Sequence, residues 1–402
     1  MKFFVINSGS SSIKYQVIEM KTETVLATGL VERIGEENGR LKNTFLPGTA
    51  NQRETVLEQP IADHYNGMML VINLLTDKIH GVIGDTSEIS AIGHRVVHGG
   101  EDFRESTRIT PKVIEAIQRN IPLAPLHNPA NLDGIRVAMD IFPTVFQVAV
   151  FDTAFHQTMP PHAFMYALPY SLYEQDRVRR YGFHGTSHRF VAGECARLLG
   201  KSLAECNLIT VHLGNGCSMT AIENGRSVDT SLGMTPLEGL VMGTRSGDLD
   251  PAMHLFLKQN KGMDLEAIDA MLNKESGLKG LCGMNDMRDI HQAVAAGNPR
   301  AAMALDVQTY RNRKYIGAYM AVLGRVDAIV FTAGIGENDD IVRAESLKGM
   351  EVFGVRIDAG KNAKRSKEAR RISAEDSSVQ VFVIPTNEEL AIAREVANVL
   401  RG

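Results

Sequence analysis

Small polar residues and one lysine are concentrated close to the start of the chain. The segment NSGSSSIK at residues 7–14 comes directly after the apolar run FFVI at residues 3–6. Backbone N–H groups, serine hydroxyls and the Lys14 ammonium group of such a turn can converge on an anion. Alternation of apolar and polar residues resumes at Ile13, which predicts strand–turn–strand rather than the strand–turn–helix of a P-loop. An ordinary polar hairpin is the alternative for this segment taken alone.

A second segment repeats the pattern. The run VHLGNGCSMTAI at residues 211–222 aligns without a gap on residues 6–17, so that His212 falls on Asn7. An apolar run again enters a glycine-rich turn and an alternating strand leaves it. Two such hairpins, one opening each half, predict a duplicated fold with a nucleotide held between its halves. Chance similarity of short glycine-rich turns is the alternative.

Two arginines lie where a cation needs an anionic partner. Arg95 lies inside the predicted strand of GHRVVHGG at residues 93–100, and Arg245 lies in the small-residue loop TRSGD at residues 244–248. The planar guanidinium group binds carboxylates and phosphates, so two such residues suit a substrate that carries one group and receives the other. A structural ion pair is the alternative for either residue.

Other polar residues follow apolar strands. Asp152 ends a buried run, and residues 331–338, FTAGIGEN, carry a strand into a glycine turn that a nucleotide can approach closely. Ligands of open α/β sheets gather at the carboxyl ends of strands, although an aspartate there can also cap the next turn. His184 and His188 have a spacing seen in metal sites, but Gly185 and the predicted helix start disfavour a shared metal.

The periodicity of apolar residues predicts the elements that position these groups. In the first half it predicts the first hairpin, strands at 24–32, 89–97 and 146–151, helices at 62–79 and 131–141, and a polar loop at 36–58. In the second half it predicts strands at 207–213, 217–223, 226–231 and 328–332, and helices at 187–199, 250–259, 264–273 and 298–322. A capping-box pattern at 386–389 predicts a last helix to Leu400. The order of elements is that of an α/β fold and resembles the ribonuclease-H-like unit.

Composition narrows the class of protein. A chain of 402 residues predicts two or three domains, and 44% apolar with 22% charged residues is ordinary for a soluble globular enzyme. A net charge of −4 argues against a general nucleic-acid binder. The four cysteines lack CxxC spacing, which predicts no zinc site and no disulfide framework and favours the cytoplasm. Charges interrupt every apolar segment, and the first strand leaves no room for a signal peptide, so we expect no membrane partner.

Taken in order, the motifs resemble those of the acetate kinase family over essentially the whole chain. They are NSGSSSIK, GHRVVHGG, APLHNPA, VAVFDTAFHQTMP, RRYGFHGTSH, HLGNGCS, DTSLGMTPLEGLVMGTRSGDLDP, FTAGIGEN and IPTNEEL. The resemblance implies a duplicated ribonuclease-H-like fold of the actin-like ATPases, with two domains flanking a nucleotide cleft. It implies an N-terminal domain of residues 1–152 plus 387–402, including a returning C-terminal helix. Residues 153–386 would form the nucleotide-binding and dimerisation domain.

The resemblance also implies roles for individual residues. Arg95 matches the arginine of the acyl substrate, Arg245 the arginine that contacts the phosphoryl group, and His184 the histidine that stabilises this group during transfer. Asp152 matches an acidic residue with a proton donor or acceptor role. The apolar pocket for the substrate methyl group would comprise Val97, Leu126, Phe183 and Pro236. The nucleotide contacts would be Lys14, His212, Leu213, Gly214, Asn215, Gly216, Asp286, Met287, Arg288, Gly334, Ile335, Gly336, Glu337 and Asn338. The magnesium site would comprise Asn7 and Glu388.

The implied reaction is reversible, Mg²⁺-dependent phosphoryl transfer from ATP to acetate, giving acetyl phosphate and ADP. The resemblance implies a homodimer, in which Mn²⁺ can replace Mg²⁺. Because acetate is already ionised at neutral pH, we expect Asp152 to order Mg²⁺ and to orient Arg95 or Arg245 rather than to act as a general base. A propionate or other short-chain acyl kinase is the alternative of the same class. An ATP-gated binding protein of the actin or chaperone type is the alternative from another class.

Overall fold

The computed structural model describes residues 1–125 and 127–401, which form two compact units. The first unit comprises Met1–Ala154 and the chain from Asn387 onward, and the second comprises Phe155–Thr386. Within the described ranges, no helix is both long and apolar enough to cross a membrane.

The first unit is built on an eight-stranded sheet in the order β5-β4-β3-β2-β1-β6-β8-β7. Its strands are β1 (Lys2–Gly9), β2 (Ser12–Glu19), β3 (Thr24–Glu32), β4 (Arg40–Phe45), β5 (Arg53–Glu58), β6 (Ile89–Val96), β7 (Thr107–Arg108) and β8 (Phe146–Phe151). Strands β1 to β5 pair antiparallel, whereas β1, β6 and β8 are parallel. The carboxyl ends of β1, β6 and β8 therefore meet at one edge of the sheet.

Helices cover both faces of this sheet. They are α1 (His64–Leu75), α2 (Pro111–Arg119), α3 (Asn128–Ile141) and the C-terminal helix (Glu388–Arg401), with 3₁₀ turns at Thr86–Glu88 and Ile121–Leu123. Alternation along β1 explains the two layers, because Phe4 packs in a core with α1 and α3, whereas Phe3 packs in a core with the C-terminal helix. At Gly93 in β6, a Cβ atom would lie 2.6 Å from the side chain of Ile392, so only glycine allows the C-terminal helix this close.

The second unit is built on a six-stranded sheet in the order β11-β10-β9-β12-β14-β13. Its strands are β9 (Leu208–Leu213), β10 (Cys217–Glu223), β11 (Arg226–Thr230), β12 (Ala328–Thr332), β13 (Arg370–Arg371) and β14 (Gln380–Val383). Its helices are α4 (Pro161–Phe164), α5 (Tyr170–Asp176), α6 (Gly185–Leu199), α7 (Ala252–Lys261), α8 (Leu265–Lys274), α9 (Gly277–Cys282), α10 (Met287–Ala295), α11 (Pro299–Leu323), α12 (Ala333–Asn338), α13 (Asp340–Leu347) and α14 (Ala359–Ala363). Shorter 3₁₀ turns are Ala154–Thr158, Leu203–Glu205 and Glu351–Phe353. Helix α6 shares a core with β9, β10 and β12, and α11 packs against β9 and β10.

The two sheets contain the same arrangement of five strands. Strands β3, β2 and β1 of the first unit pair antiparallel and continue with the parallel strands β6 and β8. Strands β11, β10 and β9 of the second unit do the same and continue with β12 and β14. This topology confirms the α/β, duplicated fold class that the sequence predicted.

Several predicted elements were wrong in extent. The segment 36–58, predicted to be a polar loop, forms β4 and β5, in which Leu41 and Phe45 alternate into the core. Helix α1 ends at Leu75 rather than at residue 79. The unpredicted elements are helices α2, α4, α5, α9, α10, α13 and α14 and strands β7, β13 and β14.

The capping box at the start of the last helix was also wrong. The side chain of Asn387, not of Thr386, accepts the hydrogen bond from the backbone N–H of Leu390 (3.0 Å). The Thr386 N–H group donates instead to the Glu337 carboxylate (3.1 Å), and Glu389 pairs with Lys14 (2.5 Å).

Candidate active site

The parallel pairing of β6 and β8 joins Arg95 to Asp152. Arg95 is the penultimate residue of β6, and Asp152 directly follows β8, where its N–H group donates to the carbonyl oxygen of Val96 (3.0 Å). The guanidinium group then meets the carboxylate side by side, with Nη2 2.6 Å from Oδ2 and Nε 3.1 Å from Oδ1. Such a bidentate, charge-assisted pair fixes the plane of the guanidinium group.

Burial and neighbouring charges act on this pair in opposite directions. The Asp152 side chain is 3% exposed and that of Arg95 is 21% exposed. Burial alone would lower the pKa of Arg95, but the negative charges of Asp152 and Glu388 raise it above its ordinary value. Burial raises the pKa of Asp152, whereas the Arg95 charge opposes this shift. Arg95 is thus a fixed cation whose remaining N–H groups can receive a carboxylate.

Two asparagines that sequence reasoning missed hold the segment after β6. The Asn131 side chain accepts from the N–H of Val97 (3.0 Å) and donates to the carbonyl of Ser8 (2.8 Å), which links the ends of β6 and β1. The Asn128 side chain accepts from the N–H of His98 (3.1 Å). Asn128 lies in the motif APLHNPA and Asn131 directly follows this motif, so two asparagines three positions apart were the available signal. Val97, predicted to line the methyl pocket, is consequently buried at a fixed position.

The two predicted metal ligands lie on the first unit, as do Arg95 and Asp152. Asn7 lies in β1 opposite Lys14, and Glu388 is the first residue of the C-terminal helix. The charge of Glu388 acts on both Arg95 and Asp152, which shows that the helix start lies close to the ion pair. Amide and carboxylate oxygens are the donors that Mg²⁺ prefers, so the chemistry of this pair fits the ion.

In the second unit, His184 stacks on His212. His184 caps the N-terminus of α6 with a left-handed backbone (φ 58°), and His212 lies in β9. Their ring centroids are 4.3 Å apart with an angle of 18° between the planes. Serine hydroxyls hold both Nδ1 atoms at 2.9 Å, from Ser218 to His184 and from Ser187 to His212.

Gly216 lies where His184 and Arg245 come together. A Cβ atom on Gly216 would lie 3.5 Å from Nε2 of His184 and 3.5 Å from Nη1 of Arg245. Nη1 of Arg245 also donates to the carbonyl oxygen of Pro236 (3.1 Å), which places the predicted pocket residue Pro236 beside the arginine. Phe183, the neighbouring pocket residue, is buried directly before His184.

Arg245 has no acidic partner among the residues that the structure describes. Burial lowers the pKa of its guanidinium group. Across residues 1–125 and 127–401, no carboxylate lies within ion-pair distance of this group, which contacts the Pro236 carbonyl and the Met242 sulfur. A half-buried cation in this state suits an anionic ligand. Arg245 and His184, which meet at Gly216 where no side chain intervenes, therefore form a candidate phosphoryl-binding site.

A cavity of about 920 Å³ opens beside this site in the second unit. Its wall includes eight predicted nucleotide contacts, namely Gly214, Asn215, Asp286, Met287, Arg288, Gly334, Ile335 and Asn338. Predicted contacts outside this wall are Lys14, which lies in the first unit, and His212, Leu213, Gly216, Gly336 and Glu337. Leu126, predicted for the methyl pocket, lies outside the described residues.

The cavity wall also includes residues that the sequence did not indicate. These are Asn285, His291, Asp339, Asp340, Ile341 and Arg365. His291 pairs with Asp339 at 2.6 Å, and no local motif marks either residue. Asp286 caps α10 and pairs with the exposed Arg288 side chain (2.5 Å), which holds the pKa of the aspartate near 2.

Comparisons with known proteins find relatives that match this chain over its length. The model of the acetokinase family matches residues 2–394. An acetate kinase of Desulfotalea psychrophila is 63% identical over 405 residues, which cover 100% of both chains. The crystal structure of acetate kinase from Porphyromonas gingivalis has a TM-score of 0.95 at 45% identity, and that of a propionate kinase from Francisella tularensis has 0.91 at 42% identity; each covers 99% of both chains.

Proposed function

Because this chain belongs to the acetokinase family, we propose that it is an ATP-dependent acetate kinase that forms acetyl phosphate and ADP reversibly. The observation that carries the proposal is the cation Arg245, without an acidic partner in the described chain, which meets His184 at Gly216. This arrangement supports phosphoryl transfer because both side chains can stabilise negative charge that develops on the phosphate oxygens.

The acceptor in this reaction needs no general base. Acetate resembles the Asp and Glu side chains, whose pKa is about 4, so its carboxylate is ionised at neutral pH. Asp152 accordingly has no substrate proton to remove in the forward direction. Its bidentate contact with Arg95 supports an organising role, in which it holds the guanidinium plane for the carboxylate of acetate. The methyl group would contact Val97, Leu126, Phe183 and Pro236.

The nucleotide is proposed to occupy the cavity beside Gly214 and Asn215. Glycine at 334 leaves the backbone accessible at the start of α12, where N–H groups face an anion favourably. Asp286 and Arg288 also lie on the cavity wall and are proposed to contact the nucleoside. Lys14 belongs to the first unit and would contribute its charge to the phosphates.

Asn7 and Glu388 are the proposed residues for Mg²⁺. The site suits an ion that takes one or two protein carboxylates and completes its shell with phosphate oxygens and water. Bound Mg²⁺ would neutralise charge on the nucleotide phosphates, and Mn²⁺ is expected to replace it. The Glu388 carboxylate, at the N-terminus of the C-terminal helix, is held where the helix dipole favours a negative charge.

A homodimer in the cytoplasm completes the proposal. Helix α7 has no buried residue, and its apolar side chains Leu255 and Phe256 are 58% and 51% exposed. Tyr170 in α5 and Tyr310 in α11 are also more than half exposed. Such apolar surface supports burial against a second copy of the second unit. All four cysteines are free thiols, which supports a reducing compartment.

The test is direct trapping of the product. Purified protein with ATP, Mg²⁺, acetate and hydroxylamine is expected to form acetohydroxamate, and to do so less well with propionate and still less with butyrate. An Arg95→Ala variant is expected to raise the KM for acetate much more than that for ATP. ATP hydrolysis without any trapped acyl phosphate would contradict the proposal and would favour an ATP-gated binding protein.

A further inference from the structure

A chain of buried hydrogen bonds leads from β9 to His184. Ser218 Oγ lies 2.9 Å from Nδ1 of His184 and 2.7 Å from Nε2 of His188. Nδ1 of His188 lies 2.7 Å from the hydroxyl of Thr210. Ser218, His188 and Thr210 are all 0% exposed, so the protein itself must satisfy these groups.

Local geometry explains why the four side chains meet. His184 and His188 are four residues apart at the start of α6 and lie on one face of the helix. Thr210 lies in β9, and Ser218 lies in the antiparallel β10, two rungs further along the ladder. Helix α6 packs on this face of the sheet and covers the four groups.

The number of protons on these groups restricts the direction in which the chain of hydrogen bonds can run. Burial lowers the pKa of His188 well below its ordinary value, so its ring is neutral and carries one N–H group. A hydroxyl has one proton, so Ser218 can donate to only one imidazole and must accept from the other. For a neutral His184, the chain therefore has two possible directions.

The hydroxyl of Thr210 distinguishes the two directions. If Ser218 donates to His184, then His188 donates through Nε2 to Ser218 and accepts at Nδ1 from Thr210, and every proton has an acceptor. In the reverse direction His188 donates to Thr210, whose own hydroxyl proton then needs another acceptor. His188 Nδ1 is the hydrogen-bond partner of the Thr210 hydroxyl within residues 1–125 and 127–401, and no second one is present there. Buried donors are rarely left unpaired, which selects the first direction.

We propose that Thr210, His188 and Ser218 are positioning residues that hold neutral His184 as the Nε2–H tautomer. This edge of the ring faces Gly216, beside Nη1 of Arg245. His184 then presents a hydrogen-bond donor to the transferring phosphoryl group without first needing a positive charge. The role in catalysis rests on the proposed function, whereas the tautomer itself does not.

Nuclear magnetic resonance of the ¹⁵N-histidine-labelled protein tests the tautomer directly. At a pH where His184 is neutral, long-range ¹H–¹⁵N correlations, assigned with a His184→Gln variant, are expected to show the proton on Nε2. A wild-type spectrum with the proton on Nδ1 would overturn the proposal. This spectrum does not depend on enzyme activity. A protein without acetate kinase activity would therefore refute the proposed function and leave the tautomer test intact.

Variants test the effect on catalysis. Ser218→Ala is expected to mix the His184 tautomers and to lower kcat by about 10- to 100-fold, the range found when a residue that orients a metal-bound histidine is lost. The KM for acetate should change by less than about twofold. Thr210→Val should act in the same direction from two hydrogen bonds away, and Thr210→Ser should restore both readouts. If Ser218→Ala does not fold, the two Thr210 variants and the wild-type spectrum test the proposal instead.

Ser227→Ala is the matched control. Ser227 is also fully buried and its hydroxyl lies 2.9 Å from Nδ1 of a histidine, His156, outside the proposed chain. It is expected to lose stability comparably to Ser218→Ala while keeping the His184 tautomer and kcat. Equal losses of kcat in the Ser218→Ala and Ser227→Ala variants, or a Thr210→Ser variant as slow as Thr210→Val, would show a packing effect and overturn the positioning role.

Discussion

Replacing Asp152 with asparagine should lower kcat/KM for acetate, because Arg95 loses the carboxylate that orients it. The substitution keeps the shape of the side chain but removes its charge and puts an NH₂ group against the guanidinium donors. Only one amide oxygen then remains to accept from Arg95, where the carboxylate now accepts from both Nε and Nη2. The arginine should lose its fixed plane and its buried counter-charge.

The size of the effect follows from the contacts that disappear. A hydrogen bond to a charged group contributes roughly 1.5–3 kcal/mol, and Asp152 is almost completely buried. At about 1.4 kcal/mol per factor of ten, the expected fall in kcat/KM for acetate is about 10- to 100-fold. The KM for ATP should change by less than about twofold, because neither Arg95 nor Asp152 lines the proposed nucleotide cavity.

A double-mutant cycle separates this mechanism from a general-base role. In an Arg95→Ala background, Asp152→Asn should cost less than about threefold further, since its target is already absent. The exposed, bidentate pair of Arg394 and Glu23 in the same unit gives the control, and Glu23→Gln should leave the kinetics unchanged. If the losses of kcat/KM in the two single variants multiply in the double variant, the reasoning is refuted and Asp152 acts on the reacting groups directly.

Four further predictions concern single side chains. Arg245→Ala and His184→Ala should each lower kcat by about 10²- to 10³-fold with small changes in KM, because both stabilise charge that develops during transfer; near-normal turnover would require another cation. Gly216→Ala places a methyl group at ordinary contact distance from both side chains, so it should lower kcat without lowering the melting temperature. Glu388→Gln should raise the Mg²⁺ concentration for half-maximal activity, with partial rescue by Mn²⁺; unchanged metal dependence would remove Glu388 from the metal site. Burial lowers the pKa of His94 to about 4 from about 6.5. The free energy of unfolding should therefore be unaffected by this residue above pH 6.5 and should fall as the pH drops towards 4, by about 1 kcal/mol between pH 6 and 5. Urea titrations should show that His94→Gln removes this part of the pH dependence.

The glycine-rich hairpins were predictable because their signals are local. Apolar runs enter and leave turns of small residues, and the observed registers pair Gly9 with Ser12 and Leu213 with Cys217. Strands β4 and β5 were missed for the opposite reason. They lie at the edge of the sheet, where β5 has no fully buried residue and Lys42 and Thr44 alternate with the buried Leu41 and Phe45 of β4. Pairing with β3 stabilises these strands, and such pairing is not encoded within the segment itself.

The site shows the same division between local and non-local information. The sequence identified Arg95 and Asp152 as candidates but left open whether Asp152 orients Arg95 or Arg245. The register of β6 and β8 favours Arg95, because it brings residues 57 positions apart to hydrogen-bonding distance. The partners of His184 were not predicted, since Ser218 and Thr210 are ordinary strand residues whose role depends on the packing of α6.

Arg95 in the first unit and His184 in the second are held in place by different chemistry, and the difference matches their proposed ligands. Arg95 is oriented by a carboxylate, Asp152, which also neutralises its charge in a buried position. His184 is oriented by a neutral hydroxyl, Ser218, whereas a backbone carbonyl or a carboxylate often orients a histidine. A carboxylate behind His184 would add negative charge close to Gly216, where a multiply charged phosphoryl group is proposed to bind, and the repulsion would be strong in a buried site. Acetate carries a single charge, so Arg95 can tolerate a carboxylate neighbour, whereas the phosphoryl site is better served by neutral partners and an arginine that keeps its full charge.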